Sequence, residues 1–316
     1  MTIAVAIGLC AALAFCLLGA QIGQRLPPAT ATVMLVLGNV CVAGATAVVL
    51  ATVAFTAFAQ LPLVAATGDW SSQILRTTDP VPIWIATGCG LLLVPVVVLL
   101  FRALTARVRA ISQWYRMCWR MEHVGRLIVV DDERPEAFAT PVGRGRIIVS
   151  TGMLRALPAD ERRALLAHEA SHVSRGHAWW LMAADLAAAV NPLLNANARA
   201  AHNTVERWAD EDAARKVGDR EVVARSLARA ALTTQETKPQ LAPVLAAASG
   251  RVGERVRALL AAPPRFRLLP AVALLVLTGI TVGCAATVLN HADTFLDNAS
   301  VPSDSQDFDT VAHASR

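Results

Sequence analysis

The run His168, Glu169, Ala170, Ser171, His172 reads HExxH. On a helix, residues four apart lie one turn apart on the same face, so both imidazoles can converge on a single Zn²⁺. Glu169 sits beside the first of them. It is close enough to take a proton from an attacking water without binding the metal itself, the arrangement used in metal-assisted peptide hydrolysis. A bare HExxH also fits an ordinary amphipathic helix. A second pattern, Glu206 to Asp210, reads ExxxD and again places two side chains one turn apart. Glu206 can complete a His/His/Glu set with the fourth position open, which separates a catalytic zinc site from a closed structural one. Asp210 can hold a ligand imidazole through its other ring nitrogen. The bland alternative for both acids is a solvated helix face. The expected cofactor is one Zn²⁺ per chain.

Other candidates carry less. His202 lies one turn before Glu206; facing the cleft, it can donate to the oxyanion of a scissile carbonyl, and otherwise it is a surface histidine. His177 follows His172 by five residues and points roughly 140° around the helix if that helix persists. It reads as a polar cap or packing residue. Glu211 and Asp212 point away from Glu206 and read as solvated. Ser171 is not a credible nucleophile beside a metal site.

Several elements must position these residues. Residues 126–130 read as a strand. Residues 137–140 and 146–150 read as a hairpin turned by Pro141 and the glycines at 143 and 145. The HExxH helix starts near Pro158 or Asp160 and ends near Gly176, and the ExxxD helix covers about 198–217. Four apolar stretches, about 2–20, 31–59, 82–101 and 269–289, are each long enough to cross a bilayer. A fifth, 178–194, carries Asp185, Asn191 and Pro192 and reads as a buried core helix rather than a span.

Composition agrees: the chain is 55% hydrophobic, 17% charged and 5% aromatic, with a mean hydropathy of +0.47. This argues against a purely soluble protein, a disordered one and an all-β fold. The fold class is therefore a mainly α integral membrane protein with a small antiparallel sheet in its central segment. Arginines flank that segment on both sides, among them Arg102, Arg107, Arg109, Arg251, Arg255 and Arg257. This puts residues 102–268 in the cytoplasm and both termini outside a plasma membrane. The N-terminus lacks a basic region and a cleavage site, so it reads as a retained span. The tail 290–316 is acidic and reads as disordered. Arginines beside spans are topology determinants that also attract anionic lipid, so no direct nucleic-acid binding is expected. The six cysteines form no CxxC pair and read as small buried hydrophobes.

These motifs resemble the gluzincin clan of membrane zinc metallopeptidases over most of residues 126–262. The resemblance runs through Pro135 to Ala139, Gly145 to Ser150, Leu165 to His172 with Arg175 to His177, Glu206 to Asp210, and Arg251 to Leu260. Three spans, a zinc domain and a fourth span look most like the BlaR-like sensor-transducer (antirepressor) peptidases. The heat-shock membrane protease and CAAX prenyl protease family comes next. The 27 residues after the last span hold no counterpart of the extracellular penicillin-binding domain of β-lactam sensors, so the input signal is open. The resemblance implies that His168, His172 and Glu206 bind zinc, that Glu169 is the general base and that Asp210 orients a ligand. It further implies that Ala137, Phe138 and Ala139 bind substrate backbone as a strand edge. The implied partner is a protein substrate such as a winged-helix transcriptional repressor in a cell-envelope or antibiotic response. The alternatives are membrane-protein quality control by the same chemistry, or a non-enzymatic signalling scaffold.

Overall fold

The structure is a computed structural model that describes residues 2–61, 64, 81–119, 121, 123–141, 143, 145–237 and 242–299. The chain is mostly helical. It opens with α1 (Thr2–Gly23), α2 (Pro28–Ala59) and α3 (Ile83–Trp119). Strands β1 (Leu127–Val130), β2 (Ala137–Thr140) and β3 (Arg146–Ser150) follow. Then come α4 (Thr151–Ala156), α5 (Ala159–Ser174), α6 (His177–Val190), a 3₁₀ turn (Pro192–Leu194) and α7 (Asn195–Val217). Helices α8 (Arg220–Thr237), α9 (Ala242–Leu260) and α10 (Leu268–Ala299) complete the described part.

Four of these helices are long and apolar enough to cross a membrane, within Val5–Gly23, Pro28–Thr56, Ile83–Cys118 and Leu268–Thr294. They fall where the hydropathy placed them, with two extensions. Helix α3 runs on past the apolar stretch because its arginine-rich half has no breaker and docks on the sheet: Trp114 packs on Phe138, and Cys118 lies buried with Ile128 and Ile148. Helix α10 continues to Ala299, so the first part of the expected disordered tail is helical. The rest of that tail, and most of the loop between α2 and α3, lie outside the described residues.

The sheet is mixed, not antiparallel. Its order is β1-β3-β2, with β1 parallel and β2 antiparallel to the central β3. The expected hairpin of β2 and β3 is present. What the hydropathy pattern does not carry is the link after β1, which crosses the end of β3 to reach the far edge. That crossing is pinned by Gly152 N–H donating to Asp132 O (2.9 Å) and Glu136 N–H donating to Ser150 Oγ (3.0 Å). It passes so close that a Cβ on Gly152 would meet Glu133 O at 2.0 Å. Strand β2 is left as an edge.

Within residues 178–194, α6 ends at Val190 and a 3₁₀ turn follows; the segment is only partly buried, and its buried face shares a core with α1, α2 and α10. Ala184, Ala187 and Ala188 of α6, Leu194, and Ala198 and Ala201 of α7 join Phe15 of α1, Val36 and Val42 of α2 and Leu274 of α10 in one cluster. Polar contacts fix this wedge. Thr204 and Thr32 share a hydrogen bond between hydroxyls (2.8 Å), Asn197 Nδ2 donates to Phe15 O (3.0 Å), and Asn191 Nδ2 donates to Thr46 Oγ1 (3.4 Å). Between its contacts at Thr32 and Thr46, α2 rises roughly 21 Å. The α6–α7 hairpin thus lies along much of an apolar helix. Interhelical hydrogen bonds and small residues are the usual means of such packing where the surroundings are apolar.

Candidate metal centre

Helix α5 carries HExxH and α7 carries ExxxD, and the two pack side by side. The small residues Ala164 and Ala167 of α5 and Ala213 of α7 let them approach. Across that contact His168, His172 and Glu206 bring one donor atom each within 4.8 Å of one another. His168 Nε2 and His172 Nε2 are 3.1 Å apart, and they lie 3.7 Å and 3.6 Å from the Glu206 carboxylate oxygens. Tetrahedral ligands at zinc bond lengths stand about 3.3 Å from each other. The spacing and the N/N/O donor set therefore fit Zn²⁺.

Each histidine is held from behind. His168 Nδ1 donates to Asp210 Oδ1 (3.0 Å), which leaves Nε2 free to ligate. His172 Nδ1 lies 3.0 Å from Nδ1 of His177. With Nε2 facing the metal position, the proton must sit on His172 Nδ1 and be donated to His177. The sequence reads His177 as a polar cap or packing residue, and helical spacing turns it away from His172 only if the helix persists. Helix α5 instead ends at Ser174, Gly176 turns the chain at a left-handed φ of +63°, and His177 begins α6 pointing back at His172. His177 is fully buried against the Trp208 ring, and its Nε2 has no hydrogen-bond partner among the described residues.

Electrostatics follow from burial and neighbours. Burial opposes charge on His168, yet Asp210 and Glu206 outweigh it and raise its pKa to about 10. Burial, with His168 nearby, lowers His172 to about 3, and burial lowers His177 to about 4, so both are neutral imidazoles at pH 7. Burial acts to raise Glu206, but hydrogen bonding from His168 and the charge of Arg255 hold it well below the usual carboxylate range. Glu169 is buried at 8% exposure and raised by that burial; a hydrogen bond from the Ala139 backbone tempers the rise.

Glu169 and the three donors line a cleft of about 550 Å³. Its rim is Ala137, Phe138, Ala139 and Thr140 of β2, with Trp179 and Leu181 of α6 opposite. The return after β2 needs Gly145: its φ is +77°, and a Cβ there would meet Val173 of α5 at 2.5 Å.

Residues 119–210 match the profile of peptidase family M48. That stretch holds the sheet, HExxH and ExxxD, and it ends on Asp210. Peptidases of this family are metalloproteases and typically zinc-dependent, in keeping with the donor set above. No solved structure matches the chain.

Three sequence expectations change. His202 does not line the cleft; its Nε2 lies 2.9 Å from Asp185 Oδ1, and Asp185 also pairs with Arg107 of α3. The acid on the neighbouring helix captures it. Glu211 and Asp212 are not solvated: Glu211 pairs with Arg220, while Asp212 accepts from Ser171 Oγ (2.9 Å) and Arg175 Nε (2.9 Å). Arg255 is not merely a basic flank. It is buried against Glu206 and Asp210. Its linear distance from both motifs hid it.

Proposed function

We propose that the chain is a membrane-embedded zinc endopeptidase that cuts an extended segment of a protein substrate. Supporting this reading, His168, His172 and Glu206 converge beside a buried Glu169 on a cleft bordered by an edge strand. Bound among those donors, Zn²⁺ would activate water at neutral pH and polarise the scissile carbonyl. Glu169 takes the proton of the attacking water and passes it to the leaving amine. Its raised pKa suits both transfers. Asp210 and His177 fix the tautomers of the two histidines. The substrate adds to β2 as an extra strand, with Ala137, Phe138 and Ala139 contacting its backbone.

The arginine flanks favour a plasma-membrane protein with the metal site on the cytoplasmic side and both termini outside. On the resemblance to BlaR-like sensor-transducers, the substrate is a cytoplasmic transcriptional repressor. One observation favours the quality-control reading of the heat-shock type. Thr204, two residues before Glu206, bonds Thr32 in the second turn of α2, so the cleft is level with the end of an apolar helix. Polypeptide emerging from a bilayer passes at that height.

The test compares new protein N-termini in cells carrying wild type and Glu169→Ala. One or two sites in a DNA-binding repressor support signalling, and many sites near the spans of membrane proteins support quality control. No difference between the strains contradicts the endopeptidase reading and favours a scaffold.

A further inference from the structure

Arg255 lies on α9, 45 residues beyond Asp210, where the family match ends. Its guanidinium makes three contacts in the site. Nη1 lies 2.9 Å from Glu206 Oε2, Nε donates to Asp210 Oδ2 (2.8 Å), and Nη2 donates to Asp210 Oδ1 (2.7 Å). Only 16% of the side chain is exposed. Its place is set by packing. One turn on, Leu259 is buried against α5, α7 and α8, and Arg220 of α8 donates to Leu259 O (2.7 Å) and Ala258 O (3.0 Å) at the end of α9.

We propose that Arg255 is a positioning residue of the metal centre: its planar fork fixes Glu206 as a ligand and Asp210 as the anchor of His168. The inference rests on the zinc-site reading above. Two carboxylates one turn apart on α7 repel each other, and Glu206 has a long, rotatable side chain. A guanidinium that spans both sets their separation and aims them; a point charge such as lysine cannot form the same paired contact. Because α9 leads straight into α10, the site is completed by the segment that joins it to the last apolar helix.

Removing Arg255 has two opposed consequences. Loss of a cation near a dication tightens binding, whereas loss of ligand positioning weakens it. The sign of the change therefore decides. The experiment titrates zinc against a chromophoric chelator on the full-length protein in detergent, for wild type, Arg255→Gln, Arg255→Lys and Arg251→Gln. Thermal unfolding of each zinc-free protein is recorded alongside. Arg251 is exposed on the same helix and controls for general charge. The expected result is a zinc Kd weakened roughly 10- to 100-fold in Arg255→Gln and less in Arg255→Lys. Arg251→Gln stays at the wild-type value. Unchanged or tighter binding by Arg255→Gln overturns the inference, and a fall in zinc-free stability alone assigns Arg255 a purely structural role. A wild-type protein that binds no zinc overturns the zinc-site reading itself.

Discussion

His168 is backed by Asp210 and His172 by His177, so each imidazole presents Nε2 to the same point. Replacing His177 by Phe keeps volume against Trp208 but removes the acceptor of His172. We expect zinc affinity to fall roughly 10- to 100-fold, read by chelator competition; unchanged affinity would reduce His177 to packing. Glu169 yields a prediction with a definite sign. Burial raises its folded pKa above the unfolded value, so the folded state binds that proton more tightly. Its effect on stability is nil below the unfolded pKa and becomes unfavourable as pH rises through the folded one. Zinc-free Glu169→Gln should therefore melt higher than zinc-free wild type at pH 7 and alike in acid, while cleavage drops roughly a hundred- to ten-thousand-fold. A lower melting point at pH 7 would contradict the burial argument. At this scale the candidate donors and Asp210 were legible in the sequence because His168 and His172, and Glu206 and Asp210, each lie one helical turn apart. His177 and Arg255 were not, one because a left-handed glycine redirects the chain and the other because α9 returns from far along it.

Strand β2 has a free edge for the proposed strand addition only because the link after β1 crosses the end of β3. That crossing depends on Gly152. Gly152→Ala puts a methyl group 2.0 Å from a backbone carbonyl that no side-chain rotation can move. We expect destabilisation of about 1–3 kcal/mol, read by thermal or denaturant unfolding, with β2 displaced and cleavage weakened. Unaltered stability would show that the crossing is slack. The strands themselves were legible from residues such as Ile147, Ile148 and Val149. Their order was not, since parallel and antiparallel pairing share the same alternation and only tertiary contacts at Asp132 and Glu136 decide between them.

Three of the four apolar helices, α1, α2 and α10, share one core with α6 and the ExxxD helix α7. The sequence pattern reads as a central domain 102–268 separate from its spans, because Ala-rich α6 and α7 look like ordinary core helices. Their apolar faces in fact pack on Phe15, Val36, Val42 and Leu274. A fragment of residues 102–268 would expose those faces together with Asn197 and Thr204, which bond α1 and α2. We expect it to be insoluble or aggregated without detergent, by size-exclusion chromatography; a soluble folded monomer would contradict the shared core. The central claim, a zinc centre on His168, His172 and Glu206, is tested most directly by metal analysis of purified full-length protein. The account predicts one zinc per chain in wild type and in Glu169→Gln, and its loss in His168→Ala and Glu206→Ala. Wild type without stoichiometric zinc, or His168→Ala that keeps it, would contradict the account.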